Sequence, residues 1–199
     1  MEPQIVRLHF LTLEFLFSLL SALFAALSGA AFLVSPGLTG LPRAAAFVGA
    51  AAGIQLRLLC NLLDGMVAVE GNRRSKSGEV WNDAPDRFAD VFVLAGAGYA
   101  LPDFPWAAGL GWTAAVLAVG TAYVRLLGGA SGLAQDFSGP MAKPHRMAVM
   151  TVAALLSTVD GIFVRPGTAL YAGLAVVAAG SLVTMFLRLA RIVRGLEAR

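Results

Sequence analysis

Asn61-Leu-Leu-Asp64-Gly65-Met-Val-Ala68-Val69, then eight residues from Glu70 to Ser77, then Gly78-Glu79-Val-Trp-Asn82-Asp83-Ala-Pro85-Asp86-Arg87-Phe-Ala-Asp90, is the polar stretch of an otherwise apolar chain. Carboxylates and amides within segments of membrane length are costly, so their presence points to a site. Asn61 and Asp64 stand three residues apart, on one face of a helix, with Arg57 one turn before and Ala68 one turn after. Asn82, Asp86 and Asp90 each stand four apart and make a second polar stripe. Two such stripes are expected to face each other.

The rest of the chain says where those stripes sit. Of 199 residues 58% are hydrophobic and only 14% charged. Phe15 to Val34, Phe104 to Val124 and Gly167 to Leu187 each run about 20 residues without a charge, the thickness of a hydrocarbon core. Three further spans carry polar residues: Ala44 to Val69, Glu79 to Leu101 and Met147 to Val164. The expectation is an all-α integral membrane protein, residues 1–199 forming a single domain of six transmembrane helices with both termini on one side. The first apolar segment is too long for a signal peptide and is expected to be retained as an anchor.

Charge asymmetry orients the bundle. Arg73, Arg74 and Lys76 lie in one loop, Arg125, Lys143 and Arg146 flank another, and Arg188, Arg191, Arg194 and Arg199 close the chain; the opposite loops offer Arg43 and Arg165. The positive-inside rule places the termini and both basic loops in the cytoplasm, facing anionic lipid headgroups. The net charge of +3 is spread over these loops with no basic stripe, which excludes nucleic acid as the expected partner. The expected location is the cytoplasmic membrane of a bacterium.

A lone Cys60 rules out an intrachain disulfide and reads as a packing residue. Small-residue runs such as Gly29-Ala-Ala, Ala50-Ala-Ala-Gly53, Gly96-Ala-Gly98 and Ala178-Ala-Gly180 read as seams where membrane helices approach closely. No internal repeat divides the chain into the paired halves of a transporter.

Depth sharpens the site. At about 1.5 Å per residue, Asp64 lies about 7 Å and Asp86 about 10 Å inside the cytoplasmic ends of their helices. Two carboxylates and two amide oxygens (Asn61, Asp64, Asn82, Asp86) then converge at one level, an oxygen set suited to Mg²⁺ or Mn²⁺. Gly65 and Gly78 leave room for a ligand beside the backbone. Pro85 lies within the first turns of its helix, where it bends the helix or loosens a hydrogen bond.

The stretch resembles the signature of the CDP-alcohol phosphotransferases, Asp-x-x-Asp-Gly-x-x-Ala-Arg, eight residues, then Gly-x-x-x-Asp-x-x-x-Asp. Asn61, Asp64, Gly65, Ala68, Val69, Gly78, Asn82 and Asp86 occupy those places without a gap. Three differ from the family pattern: Asn61 and Asn82 stand for aspartates and Val69 for the arginine. The resemblance implies metal binding by Asn61, Asp64, Asn82 and Asp86, with Asp86 also the general base. It implies substrate contacts at Gly65, Ala68, Gly78, Lys76, Arg125, Lys143 and Arg146, and a homodimer. Asp83, Asp90, Glu70 and Glu79 are candidates to compensate for the missing acids. A second register uses Asp86 and Asp90 as the last two acids, unless Asp90 pairs with Arg57 or Arg87; Arg57 itself reads as a charge partner for these acids.

The activity so implied is transfer of a phosphatidyl or related phospho-alcohol group from a CDP-linked lipid, CDP-diacylglycerol foremost, to a small hydroxyl acceptor, with release of CMP. Loss of two acids keeps open a protein that binds lipid or nucleotide without turnover, and the stripe also admits a solute pathway. His9 and His145 have no metal partner at a recognisable spacing, Glu14 reads either as an acceptor facing the bundle interior or as a residue wet at the interface, and Asp160-Gly161 reads as a helix terminus.

Overall fold

The computed structural model describes the backbone of residues 4–70 and 78–199 and the side chains of residues 16–63, 65, 66, 80 and 83–199. Six α-helices make up the described chain: α1 (Gln4–Val34), α2 (Gly40–Glu70), α3 (Gly78–Tyr99), α4 (Ala107–Ala130), α5 (Lys143–Leu156) and α6 (Thr168–Glu197). Four segments, Leu16–Gly37, Gly40–Leu63, Ala107–Ala130 and Thr168–Glu197, are long and apolar enough to cross a membrane. The protein is an integral membrane protein, and its surface shows it: Leu19, Leu23, Leu27, Val116 and Phe186 point outward, where lipid replaces water.

The helices pack in a circuit in which α1 contacts α2 and α3, α2 contacts α5, α5 contacts α6, α6 contacts α4, and α4 returns to α3. Small residues set these approaches. A Cβ on Gly96 would stand 2.9 Å from the carbonyl oxygen of Gly29, and one on Gly111 would stand 2.7 Å from that of Leu94. Dispersion and close backbone approach, rather than water exclusion, hold such seams in lipid. Ser28 adds a hydrogen bond across the α1–α2 seam, its hydroxyl donating to the Ala50 carbonyl at 2.9 Å.

The fifth helix departs from the expected Met147–Val164 span. It begins at Lys143, with Pro144 in its first turn, where a missing N–H costs nothing, and it ends after 14 residues. At about 1.5 Å per residue that is about 21 Å, shorter than a hydrocarbon core. Past the reversal, the buried Asp160 carboxylate accepts the N–H groups of Gly167 at 3.0 Å and Ala169 at 3.1 Å, capping the start of α6. Gly167 has φ 91°, a left-handed turn open to glycine. The Asp160-Gly161 pair is thus a terminus, as the sequence reading held, but it serves the following helix.

The helix α3 runs unbroken through Pro85. It stands between α1 and α4, with Ala89, Val93, Leu94 and Ala97 fully buried. The same inward face carries Asp86 and Asp90, so burial of the apolar stripe carries two carboxylates into the interior.

Candidate functional site: a cationic cavity around Asp86

Three helices, α2, α4 and α5, bring charge to the carboxylates of α3. Arg57 of α2, fully buried, donates from Nη2 to Asp90 Oδ1 at 2.7 Å and to Asp86 Oδ1 at 3.3 Å, and also to the Asp86 carbonyl at 3.2 Å. Arg146, in the first turn of α5, donates from Nη2 to Asp90 Oδ2 at 2.9 Å and from Nη1 to the Met141 carbonyl at 2.9 Å and Thr121 Oγ1 at 3.1 Å. Asp90 is therefore enclosed between two guanidiniums and has no exposed surface. This ion pair is the alternative that the sequence reading set against a reactive Asp90, with Arg146 in place of Arg87.

Asp86 sits one turn nearer the mouth. Its Oδ1 accepts from Asn61 Nδ2 at 3.2 Å as well as from Arg57, and its Oδ2 accepts from Lys143 Nζ. Spacing explains the meeting: Arg57 and Asn61 share a face of α2, Asp86 and Asp90 share a face of α3, and Lys143 and Arg146 share one at the start of α5. Asp83, a turn earlier, accepts from Arg87 at 2.8 Å and from Arg125 of α4 at 2.5 Å. The Arg125 guanidinium also lies 4.6 Å from the Phe137 ring centroid, a cation–π contact that fastens the loop between α4 and α5 over the site.

That loop is tied down at several points. Arg188 of α6 donates to the Ser138 carbonyl at 2.9 Å and to the Thr121 carbonyl at 2.8 Å. Thr184 Oγ1 accepts the Met141 N–H at 2.9 Å. Arg191 donates to Asp136 at 2.7 Å and to the Ser138 hydroxyl at 2.6 Å. Partial burial pushes the Asp136 carboxyl up, but hydrogen bonds from Ser138 and Arg191 outweigh it and hold the group at about 2.

Between these elements lies a cavity of about 630 Å³, lined by Asn61, Asp86, Arg125, Lys143, Arg146 and Arg188 among others. Around it the carboxylates of Asp83, Asp86 and Asp90 pair with five cations, Arg57, Arg87, Arg125, Lys143 and Arg146, and Arg188 adds a sixth bound to backbone carbonyls, so these described side chains are cationic in sum. The start of α5, which includes Lys143 and Pro144, forms part of the wall and adds the positive end of a helix dipole. Guanidinium and ammonium groups so placed can pair with the oxygens of an anion.

Of the expected substrate residues, Arg125, Lys143 and Arg146 line this cavity. Gly65 lies on an open face of α2, where an added Cβ meets nothing within 4 Å. Lys76 lies outside the described residues, as do the side chains of Asp64, Ala68, Gly78 and Asn82 and of the candidate acids Glu70 and Glu79. Arg188, Thr121 and Phe137 were not singled out as site residues. For Arg188 the sequence held a signal: an arginine following an apolar run of α6 is costly in a membrane unless it serves a partner or ligand.

Of the four expected Mg²⁺ or Mn²⁺ donors, the described side chains are Asn61 and Asp86. Asn61 turns a donor, Nδ2, toward Asp86, and both Asp86 oxygens already accept from cationic groups. No group of three or more His, Cys, Asp or Glu able to hold a metal occurs among the described residues.

This helix circuit is the fold of a solved phosphatidylinositol phosphate synthase, in keeping with the resemblance read from the sequence. Among solved structures the chain resembles phosphatidylinositol phosphate synthase of Mycobacterium tuberculosis in three states. The crystal structure with manganese and citrate is 23% identical, with a TM-score of 0.72 over 90% of this chain and 81% of that one. The structure with CDP-DAG bound is 24% identical, with a TM-score of 0.68 over 88% and 85%. The apo form is 22% identical, with a TM-score of 0.65 over 87% and 87%. No family model matches the chain, and no curated protein matches it.

Proposed function

We propose that this protein is a membrane phosphotransferase that moves a phosphatidyl or related phospho-alcohol group from a CDP-linked lipid to a hydroxyl acceptor, releasing CMP, as a step of phospholipid synthesis. The observation that carries the reading is the cavity itself, with Asp86 in its wall and Arg125, Lys143, Arg146 and Arg188 around it. A similar fold with CDP-DAG bound supports the choice of donor, CDP-diacylglycerol.

In this reading the cations hold the pyrophosphate of the donor and any phosphate on the acceptor. A phosphate entering the cavity meets the remaining N–H groups of Lys143, and Asp86 Oδ2, which accepts one hydrogen bond from that ammonium, keeps a lone pair for the acceptor hydroxyl. Asp86 takes the proton of the acceptor hydroxyl; the oxygen attacks the phosphorus that bears the diacylglycerol group; the anhydride P–O bond breaks and CMP leaves with the electron pair. Lys143 and the arginines stabilise charge on the phosphoryl oxygens. Six spans with cytoplasmic termini, a cavity open to the cytoplasm and a homodimer in a bacterial inner membrane complete the proposal. The amides at positions 61 and 82 and the cations clamped on Asp86 favour a second reading, a protein that binds lipid or nucleotide without turnover.

Purified protein incubated with CDP-diacylglycerol and a panel of polyol phosphates is expected to release CMP, and Asp86→Ala to release none. No release by the wild type across the panel, with calorimetry showing CDP-diacylglycerol bound, selects the second reading. Neither release nor binding rejects both.

A further inference from the structure

We propose that the Lys143 ammonium takes, on Asp86, the place of a divalent cation, so that this site receives a phosphate-bearing anion without a metal. The identity of the anion as a CDP-linked donor rests on the phosphotransferase reading; the position of the cation does not. Three observations carry the inference, and each concerns a different residue.

Lys143 Nζ donates to Asp86 Oδ2, and its side chain keeps 23% of its surface exposed, at the wall of the cavity. An ammonium has three N–H donors, and among the described residues one goes to Asp86. The other two are free to meet phosphate oxygens, giving a carboxylate–cation–phosphate bridge, which is the arrangement a bound metal supplies. Arg57, wholly buried, holds the other oxygen of Asp86 from α2. The carboxylate thus has a cation on both sides.

Asn61 supplies the second observation. Its Nδ2 lies 3.2 Å from Asp86 Oδ1 and donates to it, which an ionised carboxylate at that position does not do. An aspartate at position 61 would set two carboxylates against each other at that distance and require a cation between them. Asparagine removes the repulsion and replaces it with a hydrogen bond, so the residue at position 61 matches a site whose positive charge is covalently attached. The departure from the family pattern is then a change of cation, with Asn82 the second lost acid.

The third observation is charge. The described site is cationic even with Asp83, Asp86 and Asp90 all ionised, and those three are engaged by Arg57, Arg87, Arg125, Lys143 and Arg146. A divalent cation bound at Asp86 would displace Lys143 or stand beside it, with Arg57 close by. Both arrangements weaken its binding relative to a site of free acids.

The test uses full-length protein in nanodiscs, with two probes: Mn²⁺ alone, followed by electron paramagnetic resonance, and inorganic pyrophosphate, followed by calorimetry in chelator or in Mg²⁺. Wild type is expected to bind pyrophosphate with an affinity that chelator changes by less than about twofold, and Lys143→Met to lose at least about tenfold. The triple variant Asn61→Asp, Asn82→Asp, Lys143→Met is expected to bind Mn²⁺ at least about tenfold more tightly than wild type and to bind pyrophosphate only with metal. Should the triple variant not fold, the wild-type arms decide alone. A tenfold loss of pyrophosphate binding in chelator, tight Mn²⁺ binding by wild type, or no pyrophosphate binding under either condition overturns the proposal. Metal-independent pyrophosphate binding without CMP release rejects the transferase reading and leaves this inference standing. Metal-dependent CMP release does the reverse.

Discussion

Asp90→Asn tests whether the second carboxylate of α3 is architecture or chemistry. The side chain is wholly buried between Arg57 at 2.7 Å and Arg146 at 2.9 Å, each of which is also buried. At an effective dielectric of about 20, each pair carries about 6 kcal/mol of attraction before the cost of desolvating the ions. That cost cancels much of the gain, but taking away one partner leaves the other charges buried and unpaired, which destabilises by about 3–5 kcal/mol. Asparagine keeps the volume and removes the charge, so the loss is electrostatic. For a chain of this length about 1 kcal/mol lowers the midpoint by about 2–4 °C, giving an expected fall of about 6–20 °C. The assay is the folded, monodisperse fraction in detergent after heating. In a double-mutant cycle, Arg57→Gln and Asp90→Asn are expected to couple by at least about 1.5 kcal/mol. A midpoint within about 2 °C of wild type together with lost turnover would refute the structural reading and restore the register that uses Asp90 in the reaction.

Other perturbations probe the remaining elements. Arg125→Ala frees Asp83 and detaches Phe137; KM for the donor is expected to rise at least about tenfold while kcat changes less than about threefold, and the opposite split would assign Arg125 to the chemical step. Gly111→Val places a branched side chain where even a Cβ would stand 2.7 Å from the Leu94 carbonyl oxygen; a loss of about 3 kcal/mol or failure to fold is expected, and a wild-type melting curve would refute the α3–α4 approach. Because the Asp136 carboxyl is lowered from 3.8 to about 2, its tie to Arg191 is complete above about pH 4 and fades as the pH falls toward 2. The pair is partly exposed, so its worth is under about 1 kcal/mol. Hydrogen exchange in residues 131–142, corrected for intrinsic rates, is expected to quicken over that interval, and in Asp136→Asn to be fast throughout.

Legibility followed the cost of polar groups in lipid. The charge-free spans named α1, α4 and α6 because about 20 apolar residues have few other uses. The paired stripes named α2 and α3 and brought Arg57, Asn61 and Asp86 together, because helical spacing alone puts them on facing surfaces. Both ends of α5 were misplaced: its basic first turn reads as a topology signal, and the apolar run after Leu156 reads as more helix although it is the turn in which Asp160 caps α6. Lys143 read as a loop charge and an implied substrate contact, not as a partner of Asp86. Which acid an ammonium meets depends on how α5 crosses α3, and periodicity within one helix does not encode that. Arg188 and Phe137 likewise join the site through the loop from α4 to α5, whose path is set by hydrogen bonds from α6.

The central claim is phosphatidyl transfer at Asp86. Incubating the protein with CDP-diacylglycerol and a polyol phosphate and weighing the lipids by mass spectrometry tests it most directly. The account predicts a new phospholipid equal in amount to the CMP formed, and neither in Asp86→Ala. Unchanged CDP-diacylglycerol, or CMP accompanied only by phosphatidic acid, would contradict it.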